Sequence, residues 1–148
     1  EKAAAEKAAA EKAARERAEA ERLAAEKAAA AKLAEDRARM ARENSKNIHF
    51  SIGSFYINKK AEADLAVLAG WLKAHPDFYL SLVGYADKGT GSPKVNMEVS
   101  KKRMAVVIEK LEKLGLEASR VTTDYKGDTV QPFAENDMNR VVICTIIP

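Results

Sequence analysis

The chain has 148 residues, a formal net charge of +3 and a single cysteine. That length fits one modest core. The small, dispersed charge excludes a nucleic-acid footprint, no apolar run is long enough to span a membrane as a helix, and a lone thiol forms no internal disulfide. The chain begins with Glu rather than Met and has no apolar signal segment, which reads as a processed or excised fragment.

Composition divides the chain. Of the first 43 residues, 19 are Ala and 21 are charged, and none is Gly, Pro or aromatic. This is near-maximal helix propensity, so residues 1–45 are expected to form a helical extension and residues 46–148 the globular domain. The opening repeat, EKAAA, has a period of five and makes no continuous apolar stripe. Leu33 and Met40 are seven apart and could share a seam, which Leu23 continues poorly, so a strong coiled coil is not supported. At 1.5 Å per residue the helix would be about 65 Å long. It could be a stiff spacer, a solvated helix without a partner, or a surface for self-association through its small Ala faces.

In the globular part, alternation over Ile48–Ile52 predicts a first strand. Asn58 can cap a helix beginning near Lys59, whose apolar face is Ala61, Leu65, Leu68, Ala69 and Leu72 and which Pro76 ends. Phe78–Tyr85 reads as a second strand, followed by the turn Lys88-Gly89-Thr90-Gly91. Ser92-Pro93 starts a helix expected to reach Leu114, with Val99, Val107, Leu111 and Leu114 in the core and Gly115 as its stop. Arg120–Tyr125 and Asn139–Ile146 are two further strands around a polar loop. The order β-α-β-α-β-β predicts an α/β (α+β) sandwich, a mixed sheet with helices on one face.

Two charged residues stand out. Asp87 ends the second apolar run, and Arg103 lies on the helix that follows. Asn96, Ser100 and Arg103 share one face of that helix at i, i+4 and i+7. An aspartate that accepts from an ammonium and an arginine fork that suits a carboxylate would together grip an amino-acid head group. The same two residues could instead be an ordinary ion pair tying a loop to a helix. Arg140 could line this cleft or pair with Asp137 or Asp124. Tyr85 could flank it or pack on the sheet edge.

Other chemistry finds no constellation. His49 and His75 are isolated, no Cys or carboxylate cluster has metal-ligand spacing, and no nucleophile elbow or Walker loop is present. No catalytic residue, metal or cofactor is expected. Cys144, in an apolar run, reads as a buried small hydrophobe, and Trp71 as packing.

Four motifs occur in order: Phe50; Gly84-Tyr85-Ala86-Asp87; Asn96-Met97-Glu98-Val99-Ser100-Lys101-Lys102-Arg103-Met104; and Asn139-Arg140-Val141. Together they make Ile48–Ile147 resemble the OmpA-like C-terminal domain shared by peptidoglycan-associated lipoproteins and the MotB stator protein. The family pattern is G-H-T-D, N-x-x-L-S-x-x-R-A and N-R-R-V. This chain departs from it with Tyr85, Ala86, Met104 and Val141. The resemblance implies a non-enzymatic module at the periplasmic face of the outer membrane. It would bind peptidoglycan through the diaminopimelate of its stem peptide, Asp87 taking the amine and Arg103 the carboxylate. Asn96 with helix N-terminal amides would complete the site, and a backbone contact at Ala86 would survive the lost hydroxyl. On this reading Asp87→Ala or Arg103→Ala abolishes wall binding and leaves the fold intact. The rival reading is an oligomerisation module assembled through the N-terminal helix.

Overall fold

The computed structural model describes all 148 residues. The chain separates into two compact units, Glu1–Arg39 and Met40–Pro148. The first is a single α-helix, α1 (Lys2–Asn44), which runs on into the second unit. Every residue from Glu1 to Glu35 is exposed, as a sequence without a large apolar stripe requires. The division between the compact units falls after Arg39. The reason is Ala41, which is buried in the globular core, and Ser45, whose hydroxyl donates to the Ala41 carbonyl (2.7 Å) and accepts from Ile146 N–H (2.9 Å).

The second unit continues with β1 (Lys46–His49), α2 (Lys59–Ala74), β2 (Tyr79–Gly84), α3 (Pro93–Lys113), β3 (Val121–Tyr125) and β4 (Val141–Ile147), with short 3-10 turns at Ala118–Arg120 and Asn136–Asn139. The sheet order is β1-β4-β2-β3. β4 runs antiparallel to both β1 and β2, while β2 and β3 are parallel. The expected element order and mixed sheet are present. No helix is long and apolar enough to cross a membrane.

The helix starts follow from their caps. The Asn58 side chain accepts from Ala61 N–H (2.8 Å), and the Ser92 hydroxyl accepts from Val95 N–H (3.3 Å) with Pro93 in the first turn. α2 and α3 cover one face of the sheet. Ala61, Leu65, Leu68, Ala69 and Leu72 of α2 and Val107 and Leu111 of α3 pack with Ile48, Leu80, Leu82, Val142, Cys144 and Ile146. Alternation along β2 puts Tyr79 on the opposite face, where it is exposed. Burial raises the Cys144 thiol to about 12, so it is an inert core residue. Trp71 stacks on His75 with ring centroids 3.9 Å apart and meets Phe78 edge-on.

Three expectations need correction. The first strand lies at Lys46–His49, ahead of Ile48–Ile52, because the carbonyls of Phe50 and Ser51 bond arginine side chains instead of a neighbouring strand. Val99 is absent from the core cluster; it lines a separate polar cavity at the end of the sheet. The last strand begins at Val141, since Asn139 closes the preceding 3-10 turn.

Candidate functional site

The cavity forms where β2 runs into the loop before α3. Gly84 makes this junction. A β-carbon there would stand 2.2 Å from the Ser100 carbonyl oxygen, so only glycine lets strand and helix approach this closely. Ser100 locks the contact from the helix side by accepting from Gly127 N–H (2.9 Å). The peptide of Ala86 is held by the same segment, its N–H donating to the Gly127 carbonyl (2.8 Å).

The space enclosed is about 140 Å³. Its walls include Ile52 and Gly53 on one side, Ala86, Asp87 and Thr90 on another, and Asn96, Val99 and Arg103 from α3. Asp87, Asn96 and Arg103 are each almost wholly buried, so sequence-distant polar groups share one small concavity.

Asp87 is gripped on both oxygens. Thr90 Oγ1 donates to each at 3.0 Å, and Asn136 Nδ2 donates to Oδ2 at 3.0 Å. Arg140 Nη1 stands 3.8 Å from Oδ1. Burial alone would push the carboxyl up, but the Asn136 and Thr90 bonds and the Arg140 charge outweigh it and hold it below the usual carboxylate range. Asp87 is therefore an anion at neutral pH.

Arg103 is buried on a framework of carbonyls. Nε donates to Ser54 O (2.8 Å), Nη1 to Tyr85 O (3.1 Å) and Nη2 to Ser51 O (3.1 Å), and the guanidinium lies over the Phe50 ring at 5.5 Å. Burial lowers it to about 10, against the opposing pull of Asp87. It remains a cation at neutral pH. Three of its five N–H groups are used in these bonds, leaving one on each terminal nitrogen.

The pair is not an ordinary ion pair, since the cation within 4 Å of Asp87 is Arg140. Arg140 in turn has neither Asp137 nor Asp124 as its carboxylate partner. It sits behind Asp87, with Nε donating to Phe50 O at 3.1 Å, and it is absent from the cavity wall. Asn96 spends its amide N–H groups on Asp87 O, Thr90 O and Asp128 Oδ2 (3.2, 2.8 and 2.9 Å), so it braces the loop while lining the cavity. Ala86 offers a methyl wall and no free backbone donor; its carbonyl already accepts from Gln131 (2.9 Å). Tyr85 is not part of the wall. Its half-buried ring lies beside Lys126 and Asp124, and burial raises its phenol, while its carbonyl serves Arg103.

Burial also corrects the expectation that Arg103→Ala leaves the fold intact. Removing this side chain strands three loop carbonyls. Sequence reasoning missed Thr90 and Asn136 altogether. Thr90, three residues after an acid, carried a local signal, because a hydroxyl there can reach back to the carboxylate. Asn136 comes from 49 positions away and carried none.

The OmpA family profile matches residues 49–141, a span that holds the whole cavity. The chain belongs to the OmpA family. Among curated relatives, outer membrane protein 40 of Porphyromonas gingivalis is 36% identical over 98 residues, covering 66% of this chain and 26% of that protein. Outer membrane protein 41 of the same organism is 32% identical over 99 residues, covering 66% and 25%. The chain thus spans about a quarter of the length of the curated relatives it matches. Among solved structures, the peptidoglycan-associated lipoprotein of Burkholderia pseudomallei superposes with TM-score 0.64 at 21% identity, covering 68% of this chain and 89% of that one. The C-terminal domain of Helicobacter pylori MotB gives 0.61 at 20%, covering 70% and 84%. These two show the OmpA-like fold. Family membership places the chain among non-enzymatic proteins.

Proposed function

We propose that the OmpA-like unit binds peptidoglycan non-covalently through the diaminopimelate of a stem peptide and so anchors an outer-membrane protein to the cell wall from its periplasmic face. One observation carries this reading: a buried anion, Asp87, and a buried cation, Arg103, line the same 140 Å³ cavity without neutralising each other directly. Asp87 takes the ammonium of the amino-acid head group. The free N–H groups of Arg103 take its carboxylate at two points. Asn96 holds the Asp87–Thr90 turn in place and Arg140 supports Asp87 from behind. The names of the structural neighbours agree with this reading, since one of them is a peptidoglycan-associated lipoprotein. α1 serves as a stiff spacer ahead of the domain.

Isothermal titration of the full chain with a diaminopimelate-containing tripeptide tests the reading, with the lysine-containing tripeptide as control. Lysine lacks the second carboxylate and leaves Arg103 unpaired, so its binding should be weaker by at least about a hundredfold. Asp87→Asn, which keeps the shape and loses the charge, should abolish diaminopimelate binding. Equal binding of the two peptides, or full binding by Asp87→Asn, would sink the proposal.

A further inference from the structure

The polar loop between β3 and β4 touches the ligand cavity at one point and the edge of the sheet at another. Its middle is stiff. The buried Asn139 side chain accepts from Phe133 N–H (2.8 Å) and donates to the carbonyls of Phe133 (3.0 Å) and Glu135 (3.3 Å), which ties residues 133–139 into one piece. At the cavity, Asn136 grips the 87–90 turn twice. Its Nδ2 donates to Asp87 Oδ2 and its Oδ1 accepts from Gly89 N–H, each at 3.0 Å.

The other footing of the loop is His49, the last residue of the edge strand β1. The His49 and Phe133 rings lie 5.9 Å apart at a 52° tilt, within the range of a favourable aromatic pair, and the Met138 backbone bonds the imidazole. The next residue extends this footing. Phe50 N–H donates to the Arg140 carbonyl (2.8 Å), Phe50 O accepts from Arg140 Nε (3.1 Å), and Arg140 is the cation behind Asp87. The end of β1 thus supports Asp87 by two routes, while His49 itself is absent from the cavity wall.

His49 is an ionisable ring in a place that serves a charge poorly. Its Nδ1 is buried and has no hydrogen-bond partner. It borders a recess of about 60 Å³ between β1 and the start of α2, where Asn47, Asn58, Lys60 and Asp64 also line the wall. Lys60 repels a protonated ring, Asp137 on the loop attracts it, and Asp64 shares the recess without bonding Nδ1. A neutral ring can leave Nδ1 as an idle acceptor. A protonated ring puts an N–H there that nothing accepts, together with a buried charge, and that costs more. Burial and Lys60 accordingly hold the ring below its ordinary 6.5, against the Met138 bond and Asp137.

We propose that His49 is a positioning residue for the Asp87–Arg103 cavity: while neutral it holds the Phe133–Asn139 loop, and with it Asn136, against the 87–90 turn, and protonation releases that hold. The inference rests on the stem-peptide reading of the cavity for the ligand that reads it out. Because the folded value is the lower one, the hold is complete above about pH 6.5 and is lost as pH falls through the folded value. Asp87 stays an anion above its own value, which lies below 3.8. What the ligand loses is the preorganised turn around that anion.

The test titrates the full chain with the N-acetylated diaminopimelate tripeptide by calorimetry, in steps from about pH 7.5 to about pH 5, a window in which the capped peptide keeps its charges. Wild-type affinity should fall about threefold to tenfold across the window, the scale of one hydrogen bond. His49→Gln, which takes up no proton, should match wild type at the upper end and hold its affinity to the lower end. His75→Gln, at the C-terminal end of α2, should fall as wild type does. A wild-type profile without a fall overturns the proposal, and so does an equal fall in His49→Gln. NMR of the ligand-free wild type gives a second readout, in which the Gly89 amide and Asn136 side-chain signals should follow the titration of the His49 ring. If the peptide binds at no pH, the stem-peptide reading fails, and these signals decide the positioning role alone: signals that ignore the His49 titration overturn it.

Discussion

The two units of this chain are built on opposite principles. Glu1–Arg39 is made of local terms: Ala-rich propensity, i,i+4 pairs such as Arg22 with Glu26 at 3.1 Å, and no buried side chain. Met40–Pro148 is held by distant terms, including arginines whose hydrogen-bond partners lie about 50 or 90 positions away. Sequence distance therefore measures fragility. A unit held by neighbours fails a little at a time, whereas a unit held by remote partners fails as a whole.

The largest break should come at Gly84. Gly84→Val drives a side chain into the Ser100 carbonyl, and a loss of more than about 4 kcal/mol is expected. Circular dichroism should show the sheet lost while the α1 signal persists; a melting point near wild type would refute the close-approach argument. Arg103→Ala comes next, at about 3 kcal/mol or more, since three carbonyls lose their donor. Urea denaturation measures this, and a shift of under about 1 kcal/mol would mean the loop re-forms on water.

Asp87 separates function from stability. Its folded carboxyl is held below the ordinary 3.8, so its contribution is complete above that value and is lost as pH falls through the lower folded value. Below about pH 4 the wild type should lose stability more steeply than Asp87→Asn. Parallel acid-denaturation curves for the two proteins would count against the Thr90–Asn136–Arg140 setting described above. The smallest effect belongs to the helix. Ala18→Gly should cost about 1 kcal/mol of local helix stability and leave the melting of the globular unit and its ligand affinity unchanged. Hydrogen exchange along α1 would register it.

The same contrast explains what the sequence showed in advance. Asn58, Ser92-Pro93 and Gly115 act within a turn of themselves, and each helix begins or ends at them. The α2 core face follows from spacing alone. The segment Phe50–Ile52 was legible only as β-formers, because the arginines that bend it away from the sheet come from α3 and from the end of the chain. The site divides in the same way. Asp87, Asn96 and Arg103 were accessible through motif order on one loop and one helix, whereas Asn136 and the true partner of Arg140 required the polar loop to fold back over residues 87–90. Tyr85 and Ala86 were named for their places in the Gly84–Asp87 motif, with Tyr85 left open between the cleft and the sheet edge; the Tyr85 ring lies beside Lys126 and Asp124, and the Gly127 and Gln131 contacts occupy the Ala86 peptide.

The position of β4 in the sheet has a temporal consequence. This strand lies between β1 and β2, yet it follows all the other strands in the chain, and the bond from Ile146 to Ser45 closes a separation of 101 residues. A polypeptide synthesised from its N-terminus presents β1, β2 and β3 before the strand that joins β1 to β2. The sheet cannot close until Val141–Ile147 is available, so the cavity beside Asp87 and Arg103 is completed only once this strand pairs.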